Sequence, residues 1–475
     1  MISNPTRNTD MKKYNVFRLP AVTAMLFLAV MSYAQSSSSG YFLEGYHQRY
    51  QLNPAFAPES SFYMSIPLLG NTQIDAQSNV GMANFLYDSK SKPGMLTTFM
   101  SSDIDSKTFL DALPSATQVR AGVSMDIMSI GFGSTNWFTM LNMKLRNSEK
   151  VSLPKELFSF MKSGLSQGDY LIENVNVTSI SYIEYSAAHS HKIGDNLTIG
   201  ASLKLLQGVA YANLNVNEID ARLNEDKWIV RTNGLLRASV PGVKYKLKDD
   251  NTFDGIDKYE NFEMPSSFGL ALDLGAEYDF KGLVDGLKVS ASVTDIGFMD
   301  WGKTTIFETD RNRSVEFSGF KDYDVAGNDN DAVLDKVRDD FEEMIKLYRT
   351  GESESENVSL DATFRLGVEY ALPFVDWLSF GELLTYQTGL YPYVESRTSI
   401  CMSPCSWFDV TGNLALSNMG TSMGLLLNLH PAGFNFFLAV DRLDADLNKQ
   451  FIPLHDFGVN FSLGINLALG EKRND

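Results

Sequence analysis

Few residues in this 475-residue chain are spaced for chemistry. His189 and His191 stand one residue apart, which on a strand puts both imidazoles on one face, as in the start of a metal site. No H-E-x-x-H and no third ligand accompanies them, so a rim or turn position is the expectation. The remaining histidines are His47, His430 and His455, and no G-x-S-x-G elbow occurs. The chain reads as a non-enzyme, with no catalytic residue, no cofactor and no metal. Cys401 and Cys405, the two cysteines, stand four apart in CMSPC. Outside the cytoplasm such a pair closes a small disulfide loop in a surface turn, with free thiols as the alternative. The acidic stretches 249–257 and 322–331 invite a calcium reading, but neither follows the EF-hand loop; the second has Ala326 where an oxygen ligand is due. Both are expected to be solvated loops.

What would position any of these groups is a repeated strand pattern. In residues 457–469 every odd position is apolar, from Phe457 to Leu469, and every even position is small or polar. Period two is the signature of a strand with one apolar face. Its length exceeds the usual five or six residues and suffices for a tilted crossing of a bilayer, which takes about 9–11. The same alternation recurs in 62–68, 119–127 and 137–145. It continues in a hairpin of 177–187 with 197–205 about Gly194-Asp195, and in 268–280 with 287–293 across Gly282–Gly286. Further segments lie at 360–372 and near 377–389, 407–417, 421–429 and 434–441. The reading is all-β: a transmembrane antiparallel β-barrel of about 14 strands, with 12 to 16 defensible, whose last strand pairs with the first near 62–68. The phase opposite the apolar one carries Lys204, Asp273, Glu277, Asp361, Arg365 and Glu369. A charge facing lipid costs a few kcal/mol, so these are expected to line a polar lumen.

Bulk properties agree. A net charge of −18 excludes a nucleic-acid partner, and no segment reaches 18 apolar residues. Lys12, Lys13 and Arg18 precede an apolar run at 20–30, and Ser32-Tyr33-Ala34 follows; this is the form of a secretory signal cut after Ala34, with Met11 as a plausible initiator. Residues 35–60 read as a linker and a packed irregular segment, broken at Asn53-Pro54 and Ala57-Pro58. The barrel then spans 61–470, with a short helical connection in 151–170, insertions near 209–262 and 304–359, and a polar tail at 471–475. In the second insertion, 331–349 places Leu334, Val337, Phe341, Ile345 and Tyr348 at helical spacing, an amphipathic helix expected to pack on its own barrel. The Glu352–Glu356 run after it reads as a solvated turn.

Leu52-Asn53-Pro54-Ala55-Phe56-Ala57-Pro58 resembles the N-terminal segment of several Bacteroidetes outer-membrane barrels, among them the FadL-like (fatty-acid-transporter-like) barrels and the PorP/SprF-type proteins of type IX secretion and gliding. Taken with 264–268 (MPSSF), 293–301 (VTDIGFMDW) and the glycine-spaced closing strand, the chain is similar to one subset: uncharacterised Bacteroidetes barrels carrying a domain of unknown function of the DUF5723 type. The resemblance spans nearly the whole exported chain. It implies a FadL-like barrel in the outer membrane and no assigned activity. In that frame Asn53, Pro54 and Ala55 make a rigid turn holding a hatch-like segment in the lumen. Asp295 caps a turn, and Phe298 and Trp301 are interfacial aromatics at a strand end. Two functions follow. One is a passive channel or carrier for a small, hydrophobic molecule; the other is a structural or secretion-accessory protein that binds envelope partners through its loops. Outer-membrane lipid is a partner in both.

Overall fold

A computed structural model of the chain describes residues 37–58, 60–90, 96–163, 168–224, 227–259, 267–317, 342, 344–443 and 457–472. In order the strands are β1 (Ser60–Ser65), β2 (Thr72–Ser78), β3 (Leu86–Asp88), β4 (Leu96–Thr98), β5 (Ala116–Ser134), β6 (Trp137–Pro154), β7 (Asp169–Ile193) and β8 (Leu197–Asn224). There follow β9 (Lys227–Ser239), β10 (Val243–Leu247), β11 (Phe253–Tyr259), β12 (Phe268–Asp279), β13 (Leu287–Thr309), β14 (Val315–Phe317) and β15 (Leu347–Ser359). The last are β16 (Thr363–Ala371), β17 (Leu378–Gln387), β18 (Tyr393–Cys405), β19 (Phe408–Ser417), β20 (Gly420–Leu429), β21 (Asn435–Leu443) and β22 (Phe457–Lys472).

The wall is antiparallel and closes on itself. β22 pairs with β1, Phe62 opposite Leu469 and Ser65 opposite Asn466, and β1 also pairs with β5. β2 makes the same two pairings higher up, so β1 and β2 are halves of one wall position. Likewise β9 and β12 both lie between β8 and β13, and β15 and β16 both flank β13. Counting such halves once gives a ring of about fourteen positions. One end of the barrel has only tight turns, and the other, the crown, carries the long excursions; in bacterial barrels these face the periplasm and the exterior respectively.

Side chains follow the pleat. Leu203 is 59% exposed and its neighbour Lys204 only 6%. Along β12, Phe268, Leu270, Leu272 and Leu274 face out while Ala271 and Asp273 are buried. A ring that shows leucine outside and buries lysine and aspartate is the inverse of a water-soluble barrel, and lipid is the environment that accounts for it. Above this band the outer face of β5–β9 carries the main hydrophobic core, formed with Phe99, Phe109 and the Lys155–Ser163 helix.

Several expected features differ. The first strand does not run through Leu68, which adopts φ 65° between β1 and β2. The insertion at 209–262 is mostly wall: β8 continues to Asn224 and β9 returns beside it, because its polar residues occupy one strand face while Leu214, Val216 and Ile219 fill the other. Of the helix expected over 331–349, residues 331–341 and 343 lie outside the described residues, and Leu347 to Arg349 already belong to β15. Glu352 to Glu356 form no turn but continue β15, paired with β13; the period-two alternation of Glu and Ser is itself a strand pattern.

Candidate functional site

The lumen holds residues 37–58. Two short 3-10 turns, Ser38–Gly40 and His47–Gln51, fold this segment across the inside, and Tyr41, Tyr46, Leu52 and Asn53 are wholly buried. At one end the Asp441 carboxylate accepts hydrogen bonds from Ser37 Oγ (2.9 Å), Ser38 N (2.8 Å) and Ser39 N (2.9 Å). In the middle Gln48 Nε2 donates to Tyr63 Oη (2.5 Å) and to the Gly70 carbonyl (3.2 Å). At the other end Asn53 Oδ1 accepts from Ala55 N (3.0 Å), and its Nδ2 donates to the carbonyls of Ala276 (3.3 Å) and Ala291 (3.4 Å). The Leu52 carbonyl accepts from Ser292 Oγ at 2.8 Å. The wall is shaped for this contact: a Cβ on Gly275 would lie 1.9 Å from Asn53 Oδ1, and one on Gly200 would lie 2.1 Å from the Pro54 carbonyl oxygen.

Beside the segment lies a band of paired charges. Lys204 Nζ is 2.8 Å from Asp273 and 2.6 Å from Asp295; Arg146 is 3.0 Å from both Asp295 and Glu184; Lys144 is 3.6 Å from Asp126. Arg365 donates to Thr294 Oγ1 (3.1 Å) and to the Leu52 carbonyl (3.4 Å). Only about 50 Å³ of free space is left among these groups. Toward the tight turns the lumen widens into a vestibule of about 710 Å³, lined by Phe42, Glu44, Lys288, Glu369, Asp409 and His430 among others. Glu44 pairs with Lys288, and Glu277 and Glu369 add negative charge around the same ammonium. His430 Nε2 lies 2.9 Å from Asp409 Oδ2. Asp361 stands apart, paired with Lys150. Thus Lys204, Asp273 and Arg365 converge on the band, Glu369 lines the vestibule, Glu277 stands near the vestibule's Lys288, and Asp361 belongs to neither.

Other expectations are corrected. Asp295 caps no turn: β13 runs straight past it, and a bulge with φ 62° turns its carboxylate into the lumen, where its own N–H donates to Asp273 (2.7 Å). Trp301 is not interfacial but wholly buried, stacked on Tyr211, whereas Phe298 does face outward. The disulfide is not formed; Cys401 and Cys405 are both free. They lie on one extended strand, where residues four apart are separated by about 13 Å, and a bridge needs Cα atoms within roughly 4–7 Å. His189 and His191 stack on the outer wall beside Trp137, with His189 Nδ1 2.9 Å from Thr139 Oγ1. Among the described residues no group of His, Cys, Asp or Glu is arranged for a metal. The acidic stretch 322–331 and His455 lie outside the described residues. Arg146 and Glu184 were not singled out from the sequence, yet both sit in the polar phase of their strands, which was the available signal.

A family model described as a family of unknown function, DUF5723, matches residues 54–441. The chain belongs to the DUF5723 family. No curated protein matches it. Solved structures similar to this DUF5723 chain include the Ralstonia pickettii toluene transporter TbuX, at 9% identity and TM-score 0.42, covering 89% of this chain and 93% of that one. The P. putida toluene transporter TodX matches at 9% identity and TM-score 0.42, over 93% and 96%. A Pseudomonas aeruginosa FadL homologue matches at 9% identity and TM-score 0.39, over 87% and 91%.

Proposed function

We propose that this protein is an outer-membrane passage or carrier for a small molecule, exported by the signal at residues 12–34 and held shut at rest by residues 37–58. The observation that carries the reading is a vestibule of about 710 Å³ that ends blindly on Phe42 and Glu44 of that segment. A chamber open at one end and closed by a strap of the same chain is the form of a gated path. The strap is held by hydrogen bonds and close packing and by no covalent link, so it can be displaced. The charged band beyond it makes the axial path polar, and a hydrophobic cargo would need the band to move as well. In planar bilayers the full barrel should conduct little, and a variant lacking residues 37–58 should conduct well above it. A variant that remains heat-modifiable, and so folded, yet stays silent would overturn the reading. The rival is a closed scaffold that binds envelope partners at the crown, and the β5–β9 extension beyond the lipid band is the observation that favours it. Recovery of a stoichiometric envelope partner on that extension, together with silence in the bilayer, would establish the rival.

A further inference from the structure

The outer wall itself carries a feature that a lipid-facing surface does not require. Across β12, β13, β16, β17, β18 and β19 the lipid-facing side is hollowed into a trough of about 1000 Å³, the upper end of the range for ligand pockets. Its floor is a row of paired outward residues, Ala276 opposite Ala291, Ala291 opposite Leu366, and Leu366 opposite Leu384. The two alanines let the surface dip, while Phe364, Tyr386 and Leu416 stand around it. The next residue in that row, Ser396 opposite Leu384, also lines the trough. Its hydroxyl donates to Glu382 Oε1 at 2.5 Å, and Thr398 Oγ1 donates to Glu382 Oε2 at 2.6 Å.

Glu382 shares its phase with Phe380 and Leu384, both of which face lipid. An ionisable group among lipid-facing residues is costly and by default marks a functional site. The two hydroxyls occupy one acceptor position on each carboxylate oxygen and leave further lone pairs open. A trough for hydrocarbon with an acceptor group beside one end defines its occupant by chemistry. We infer that this wall binds a membrane-dissolved amphiphile, with its hydrocarbon body along the Ala276–Ala291 trough and a hydroxyl or ammonium head donating to Glu382. The site is outside the ring and independent of the proposed lumen passage. Its occupant comes from the bilayer because the large side chains that stand around the trough, Phe364, Leu366, Leu384, Tyr386 and Leu416, all face lipid.

The test uses the full-length barrel in phosphatidylcholine vesicles containing a diazirine-bearing long-chain alcohol, with the matching headless alkane as control. After photolysis, adducts mapped by peptide mass spectrometry should concentrate on β16–β19 about tenfold over the equally exposed wall at Met128 and Leu141. Ala291→Trp should abolish the enrichment of both probes. Glu382→Leu, a change that favours membrane insertion, should remove the advantage of the alcohol and leave the alkane unchanged. Uniform labelling around the ring overturns the inference, as does an alcohol advantage that survives Glu382→Leu. Cross-linked dimers joined through β17–β18, with no adduct there, assign the face to a second copy and overturn it too.

Discussion

Two stretches of one strand face run up the wall of β6, β7 and β8, and they differ in what covers them. Low on the wall the row Leu141, Ala187, Leu203 is bare. Higher up the row Val151, Val177, Leu214 is buried under Phe99, Phe109, Phe158 and Phe160. β6 pairs with β7 without a register shift, so the two rows belong to the same face. Between them comes a polar step of Asn147, Ser181, Glu149 and Ser179, with Asn147 Nδ2 donating to Ser181 Oγ (2.7 Å) and Ser179 Oγ donating to Glu149 Oε1 (2.6 Å). The step falls about where a crossing that starts at Trp137 would end, given the 9–11 residues a tilted strand needs. An apolar strand face therefore does not by itself identify lipid. Below the step the bilayer covers it, and above the step the chain covers it with its own excursions.

The comparison breaks most sharply under truncation. Leu214→Ala leaves a cavity in packed protein and should cost about 2–5 kcal/mol. Leu203→Ala leaves a gap that fluid acyl chains refill, and should cost under about 1 kcal/mol, on the scale of transferring a leucine into the membrane. Denaturant unfolding of the two variants from the same vesicles measures the difference. Equal costs would mean that both rows have the same kind of cover.

Glu149 sharpens the boundary. Burial pushes its carboxyl up from 4.5 to about 7, against the bonds from Ser179 and Asn147 that favour the ionised form. The folded state thus holds a proton that the unfolded chain has released between about pH 4.5 and 7. Stability falls as pH rises through that window and is constant above it. The full effect is on the order of 3 kcal/mol at pH 8. Glu149→Gln should flatten the dependence and raise stability at pH 8, read as hydrogen-exchange protection of the upper halves of β6 and β7. A wild-type profile without slope between pH 4.5 and 7 would place Glu149 in contact with water.

How much of this was legible follows the same boundary. The bare stretch was readable, since 137–145, 197–205 and 268–280 alternate cleanly and their polar phase holds Lys204 and Asp273. The upper stretch was not: the polar step interrupts the alternation at Asn147 and Glu149, so a strand that continues to Pro154 reads as ending at Leu145. The same effect turned 209–262 into an apparent insertion. At the candidate site the charges of the regular strands could be assigned to one face. Asp295 could not, because it turns inward through a bulge that shifts the register by one residue, and no period-two reading anticipates such a shift. The Asn53 contacts were beyond reach for another reason. They depend on glycines at 200 and 275, far away in sequence, which gain meaning only once the ring is closed.

The smallest test addresses the cover itself. Phe109 enters the core from the short helix Ser106–Asp111, whose N-cap is Asp105. The Asp105 carboxylate accepts from Thr108 N at 2.9 Å and from Thr108 Oγ1 at 3.1 Å, which holds it below its usual carboxylate range. Removing such a cap leaves the first-turn N–H groups unpaired and weakens the helix. Asp105→Ala should therefore raise exchange at Phe109 and its helix by about fivefold, with β12 and β16 unchanged, because they face lipid and do not contact this layer. If the loss of protection spread into the lipid-facing strands, cover and ring would be one cooperative unit, and the contrast between the two stretches would be one of composition without separate stability.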